Sequence, residues 1–351
     1  MTVITLKKLL PIVLLPLFFC FWLLWKKPPH QEVHSTTRVA MGTLVTVSTW
    51  GVRGPEEERA IARVFGSISE MESLAGRLAK SSPVYKINHA KPGTLLEIPE
   101  ELATILETGL EMRKSSHGAF DPGLASLLDL WGFSNGVPDI GKVPEAQSIH
   151  AWIEERKKNP EYGVHLNKTR DGSRTIQLDG PAFALDLGAI AKGYALDRAM
   201  ETMKRSGIEN ALIIGGGDMI MAGSKGGQPW RIGIQHPRDH DKIMAFAEIT
   251  GEMAMATSGD YERFFMAEGE RQHHILDPQT GRPSRSGLIS VSIQTKKSMM
   301  ADALSTAVFV LGMEKGKELI GKLEGVEGML VKENGERWMS PGFKGQWLEG
   351  S

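Results

Sequence analysis

Asp302 and Thr306 stand four residues apart in Ala301-Asp302-Ala303-Leu304-Ser305-Thr306-Ala307. On a helix that spacing puts a carboxylate and a hydroxyl on one face. Such a pair can bind a hard, oxygen-seeking cation such as magnesium. Alternatively, Asp302 caps the helix and Thr306 is a core hydroxyl satisfied by a carbonyl. Three further stretches could carry chemistry. Gly215-Gly216-Gly217-Asp218 follows an apolar run and would let backbone approach a phosphate or a ring, or form a plain turn. It is neither a dinucleotide fingerprint nor a P-loop. Gly188-Ala189-Ile190-Ala191-Lys192-Gly193 flanks a predicted helix N-terminus, a natural place for an anion. Asp186, just before it, can cap that helix or bind a ligand hydroxyl. His274, beside the turn at Asp277-Pro278, can act as a general base or simply be a bonded core histidine. No His-x-x-x-His pair or Ser/His/Asp ordering points to a zinc or serine hydrolase.

The elements that must position these residues follow from periodicity. Leu288–Gln294 reads as a strand, and a helix starts near Met299 or Met300 and stops at Gly312. Apolar residues at helical spacing predict helices over 56–78 and 99–114, with shorter ones over 148–158 and 314–323. The run 183–195 leads into a helix ending near Arg205. Strands are expected at 44–48, 175–178, 211–214, 231–235, 244–249, 253–257, 261–265 and 273–276. A closing hairpin is expected over 328–339 around Asn334-Gly335. Strands and helices mix without regular βαβ alternation and without a fixed-period repeat, so the fold class is α+β with flanking helices.

The whole chain has 351 residues, enough for one large domain or two intimate ones. Its 41 basic and 42 acidic residues give a net charge of −1, and nothing in that balance suggests nucleic acid. The single cysteine, Cys20, excludes internal disulfides and cysteine metal clusters. Residues 1–27 read as a membrane anchor or signal segment. Leu9–Trp25 is seventeen residues without charge between Lys7-Lys8 and Lys26-Lys27, and no small-residue cleavage pattern follows it. We read it as an uncleaved anchor whose orientation the lysines do not decide. Residues 28–37 read as a polar linker and 38–345 as the folded domain.

Taken together, these stretches resemble the ApbE family, the FAD:protein FMN transferases. The resemblance is carried by Met41-Gly42-Thr43, Gly118-Ala119-Phe120-Asp121-Pro122 and the central run from Leu185 to Ala195. It continues through Gly215-Gly216-Gly217-Asp218, His274–Pro283 and Ala301–Ala307. It implies a T-fold-related α+β domain of mixed and antiparallel sheets. It also implies a magnesium-dependent enzyme that transfers the FMN half of FAD to a threonine or serine hydroxyl of an acceptor protein, with AMP leaving. By the same resemblance, magnesium is held by Asp302, Thr306 and the Ala189 carbonyl. FAD contacts fall at Met41, Ala119, Phe120, Asp121, Asp186, Lys192 and Leu276. His274 is the candidate acceptor of the hydroxyl proton. One departure is Leu78, which stands where the family often has an aromatic residue; Tyr85 is a possible stand-in. Relatives of this layout imply a bacterial inner-membrane protein facing the periplasm, with a flavin-carrying subunit of a redox complex or a periplasmic flavoprotein as acceptor. The alternative is a magnesium-dependent FAD pyrophosphatase, in which water replaces the acceptor hydroxyl.

Overall fold

The computed structural model describes residues 32–134, 143–159 and 161–348. The chain opens with a hairpin of β1 (Val33–Ala40) and β2 (Thr43–Trp50). Met41 and Gly42, at φ 53° and 70°, supply the two positive values that a type I′ turn requires. Then come α1 (Pro55–Ala75), α2 (Pro83–Asn88), β3 (Leu96–Ile98), α3 (Glu100–Ser115), α4 (Ala125–Leu130) and α5 (Ala146–Lys157). Next are β4 (Val164–Lys168), β5 (Arg174–Leu178), α6 (Ala191–Arg205), β6 (Ala211–Gly215) and β7 (Asp218–Ala222). The strands β8 (Trp230–His236), β9 (Asp239–Ile249) and β10 (Met253–Gly259) follow. Four short strands come after them: β11 (Phe264–Ala267), β12 (Glu270–His273), β13 (Leu276–Asp277) and β14 (Arg282–Pro283). The chain closes with β15 (Leu288–Thr295), α7 (Ser298–Leu311), α8 (Met313–Lys322), β16 (Glu327–Lys332), β17 (Arg337–Met339) and β18 (Gly345–Trp347).

The main sheet is antiparallel throughout, in the order β1-β2-β6-β7-β10-β15-β16-β17. β15 is buried along its whole length, as a central strand covered on both faces must be. On one face lie the helices. Val291 and Ile293 share a core with Leu304, Val308 and Phe309 of α7 and with Leu102 and Leu106 of α3. Val45, Val47 and Ile213 pack against α1 and α6. On the other face the small sheet β18-β9-β8 brings Trp230, Ile232 and Met244 against Met221, Met255 and Met329. The alternation along β10 shows the two sides directly: Ala254 and Ala256 face helices, and Met255 faces the second sheet. The α+β class with antiparallel sheets and flanking helices is therefore observed, and the predicted helices and most strands are present within a few residues.

Two expectations are corrected. Residues 33–37 are not linker; they pair residue for residue with 46–50 as the outer part of β1. This is an edge strand in which Ser35 and Thr37 are exposed and His34 and Thr36 only half-buried, so it lacks an apolar stripe. Nor is 261–265 a single strand. The chain turns over 260–263, where Asp260 takes a bidentate ion pair from Arg238 at 2.7 and 2.8 Å, and β11 starts only at Phe264. The expected membrane segment, residues 1–27, lies outside the described residues. Among the described residues, no helix is long and apolar enough to cross a membrane.

One contact fixes how α6 meets α7. A Cβ at Gly193 would lie 2.3 Å from the Ser298 carbonyl oxygen and 2.7 Å from the Met299 Cα. Only glycine allows that approach. Gly193→Ala is expected to cost about 1–3 kcal/mol by forcing the helices apart. A chemical-denaturation midpoint equal to wild type would refute this packing account.

Candidate active site

The site is built where α6 and α7 cap one another. Asp197 of α6 accepts the Ser298 and Met299 amides at 2.8 and 3.0 Å, which satisfies the first turn of α7. In return, Asp302 of α7 accepts the Gly193 amide of the first turn of α6 at 3.1 Å. Asp302 therefore caps the neighbouring helix, and the capping of its own helix falls to Asp197. Ala189 precedes the helix, whose first bond runs from Tyr194 N–H to the Ile190 carbonyl, so the Ala189 carbonyl has no donor within α6.

Lys192 fills the space between these groups. Its Nζ donates to the Gly188 carbonyl at 2.8 Å, lies 3.1 Å from Asp218 Oδ2, and lies 3.4 Å from both oxygens of Asp302. Asp218 and Asp302 are each 3% exposed. Burial, and then the neighbouring Asp218 carboxylate, push the Asp302 carboxyl up to about 7. Burial alone would pull the Lys192 ammonium down, but Asp218 and Asp302 outweigh it and hold Lys192 charged. One turn beyond Asp302, Thr306 Oγ1 lies 3.3 Å from Ser258 Oγ on β10. Ser258 Oγ lies 2.7 Å from Ser305 Oγ, whose own hydrogen goes to the Asp302 carbonyl at 2.9 Å.

Asp218 reaches this cluster from the turn between β6 and β7. Gly216 has φ 66°, and a Cβ on Gly217 would lie 2.8 Å from the Thr257 carbonyl oxygen. The triple glycine thus serves a tight turn against β10. The Met41 hairpin tip lies alongside, since Gly216 N donates to the Leu44 carbonyl.

A polar wall continues from this cluster. Asp186 Oδ1 accepts the Gly188 amide at 2.9 Å, and Oδ2 pairs with Arg77 Nε at 2.6 Å. Arg77 also reaches Asp129 at 2.9 Å. Next to it stands Arg263, whose guanidinium donates to the Phe133 carbonyl and whose Nε is buried without a partner. The Arg263 carbonyl accepts both the backbone N–H of His274, at 3.1 Å, and its Nδ1, at 3.3 Å. A carbonyl only accepts, so Nδ1 carries the hydrogen and Nε2 keeps its lone pair. Burial, then the positive charge of Arg263, lower the His274 imidazole to about 3, so it is neutral.

Ala189, Lys192, Asp302 and Thr306 are thus brought together, with Asp186 and His274 on the adjoining wall. Other predicted positions play a different part. The Asp121 carboxylate is enclosed by Arg113, Arg156, Tyr162 and the Gly123 amide. Its side chain holds the 118–123 loop, whose Pro122 carbonyl accepts the Asp186 amide at 2.8 Å. Ala119, Phe120 and Leu276 are 6, 2 and 4% exposed, so Phe120 and Leu276 have rings or branches in the core and offer mainly backbone to a ligand. Leu78 is 54% exposed, and Tyr85 stacks on His89 at 3.8 Å. Sequence reasoning missed Arg77 and Arg263, which are isolated arginines without a motif, and left the Asp218 side chain without a role.

The donor set suits a hard cation. Asp302, the hydroxyls of Thr306 and Ser258 and the Ala189 carbonyl all offer oxygen. Among the described residues no group of three or more His, Cys, Asp or Glu could hold a metal, so carbonyl and hydroxyl oxygens would have to complete the shell.

A model of the ApbE family matches residues 41–330. The FAD:protein FMN transferase of Klebsiella pneumoniae (strain 342) is 32% identical over 310 residues, covering 87% of this chain and 86% of that one. That of Treponema pallidum is 32% identical over 311 residues, covering 85% and 84%. The crystal structure of the ApbE protein from Thermotoga maritima superposes with a TM-score of 0.78 at 30% identity, covering 88% of this chain and 97% of that one. The flavin transferase ApbE from Vibrio cholerae gives 0.75 at 26% identity, covering 89% and 98%. With the reciprocal helix caps, the buried Asp302 and the glycine turn all inside the matched span, the chain belongs to the ApbE family.

Proposed function

We propose that this protein is an FAD:protein FMN transferase that uses magnesium, acts on a threonine or serine hydroxyl of an acceptor protein and releases AMP. The observation that carries this is the buried Asp302 beside the charged Lys192, a carboxylate suited to a cation next to an ammonium suited to an anion. Asp302, Thr306 and the Ala189 carbonyl would hold magnesium, which as a Lewis acid neutralises the diphosphate when bound. Lys192, 30% exposed at its side chain, adds positive charge toward the same diphosphate. Asp186, fixed by Arg77 and Gly188, orients the dinucleotide. Met41, Ala119, Phe120, Asp121 and Leu276 shape the surrounding loops. The acceptor oxygen bonds to the FMN phosphorus as the bond to the AMP oxygen breaks. His274 Nε2, the free lone pair of a neutral imidazole, takes the hydroxyl proton.

We place the folded domain in the periplasm of a bacterium, on an inner-membrane anchor. The charge-free run Leu9–Trp25 and the family resemblance support that reading. A flavin-carrying membrane subunit or periplasmic flavoprotein would be the acceptor.

The full-length chain should be incubated with FAD, magnesium and a test protein carrying an Asp-x-x-Ser/Thr-Gly-Ala-Thr segment. Mass spectrometry should show added FMN, and Asp302→Ala should reduce it on the order of a hundredfold. AMP and free FMN without a protein adduct would instead favour the pyrophosphatase reading.

A pH dependence follows from the two buried histidines. Burial lowers His273 to about 4 and His274 to about 3, against 6.5 for the ordinary side chain. Between those values the unfolded chain binds more protons at these two sites than the folded one, so their contribution to stability rises with pH and is lost as pH falls from about 6.5 toward 3, while Asp302, raised to about 7, works in the opposite sense. Replacing both with glutamine should lower the slope of the denaturation midpoint against pH across this range. An unchanged slope would mean that these imidazoles are not held neutral.

A further inference from the structure

Two buried carboxylates share one ammonium. Lys192 Nζ is 3.1 Å from Asp218 Oδ2 and 3.4 Å from each Asp302 oxygen, so it stands between two competing counterions. Its third contact, with the Gly188 carbonyl at 2.8 Å, is to the turn that leads into its own helix and keeps the ammonium anchored whichever carboxylate it favours. Asp218 is rigidly placed: it pairs with Gly215 across the turn and with Ala256 on β10. A cation arriving at Asp302 repels the ammonium beside it. Without a second carboxylate, Lys192 would be fully committed to Asp302 and would compete with the cation for it. With Asp218 present, the ammonium can withdraw by a small movement and remain paired.

We propose that Asp218 is a positioning residue that draws Lys192 off Asp302, so that a divalent cation can take Asp302 while the ammonium stays beside it, facing the diphosphate. This rests on the reading of Asp302 as a magnesium ligand given above. It adds a carboxylate that the cation does not need to touch, acting only through Lys192.

Magnesium affinity of the full-length chain, measured by calorimetry without FAD, tests this in a double-mutant cycle. Asp218→Asn should weaken magnesium binding ~tenfold, because Lys192 then pairs with Asp302 alone. Lys192→Met should leave binding equal to wild type or tighter. In the Lys192→Met background, Asp218→Asn should change affinity by less than about twofold, since the competing ammonium is gone. Equal weakening in both backgrounds would overturn the proposal, because Asp218 would then act on the cation directly. No weakening by Asp218→Asn alone would also overturn it. Asp218→Ser, which removes the charge and shortens the side chain, should repeat the Asn result; thermal melts identify any variant that is merely unfolded, and the serine variant then carries the cycle. Absence of magnesium binding by wild type would be seen before any variant is compared. That outcome would overturn the metal reading itself, and this inference with it.

Discussion

The reciprocal capping of α6 and α7 is the constraint on which the site depends. Each helix start has backbone N–H groups with no intrahelical partner, and each takes a carboxylate from the other. Asp197 serves α7, and Asp302 serves α6. The exchange requires the helices to nearly touch, which is why position 193 must be glycine. It also has a chemical consequence. The amide that Asp302 accepts brings this carboxylate to the start of α6, where the Ala189 carbonyl, lying before the helix, has no donor from it. The contact that satisfies a helix end thus also places a buried carboxylate at the site.

The rest of the fold keeps that contact dry and correctly oriented. The main sheet supplies Ser258 from β10 and Asp218 from β7 on the face that the helices cover. The second sheet fills the opposite face with methionine, tryptophan and isoleucine. Burial in turn gives the polar groups their leverage, since a charge removed from water interacts more strongly with its neighbours. The Arg113–Asp121–Arg156 cluster does similar work at a distance. Its two arginines hold the Asp121 carboxylate and with it the loop, whose Pro122 carbonyl accepts the Asp186 N–H.

Much of this was legible from local pattern. The Asp302/Thr306 spacing, the glycine-flanked helix start and the apolar period of α1, α3 and α7 are short-range features, and the structure places them as the pattern implies. What was not legible is long-range or carried by edges. Arg77 and Arg263 act on residues far away in sequence, and no local periodicity marks them. The outer half of β1 reads as linker because an edge strand needs no buried stripe. Asp121 resembles a ligand-binding residue by motif, yet its carboxylate is enclosed by arginines that lie 8 and 35 residues away in the chain. Asp197 drew no notice within α6, although it decides where α7 begins.

The charges of the site largely offset one another. Lys192, Arg77 and Arg263 face Asp186, Asp218 and Asp302, and His274 adds nothing because burial holds it neutral. Asp129 beside Arg77 and Glu262 near Lys192 add further carboxylates, so the site has no excess of positive groups before any ligand enters. A divalent cation and a doubly charged diphosphate are a neutral pair. Admitting them together leaves the charge of the site unchanged, whereas admitting either alone adds an uncompensated charge in a poorly solvated space. The arrangement thus favours joint occupancy over a lone cation or a lone dinucleotide. For a phosphoryl-type transfer that joint state is also the reactive one, since the dinucleotide is neutralised only when its counter-charge is in place.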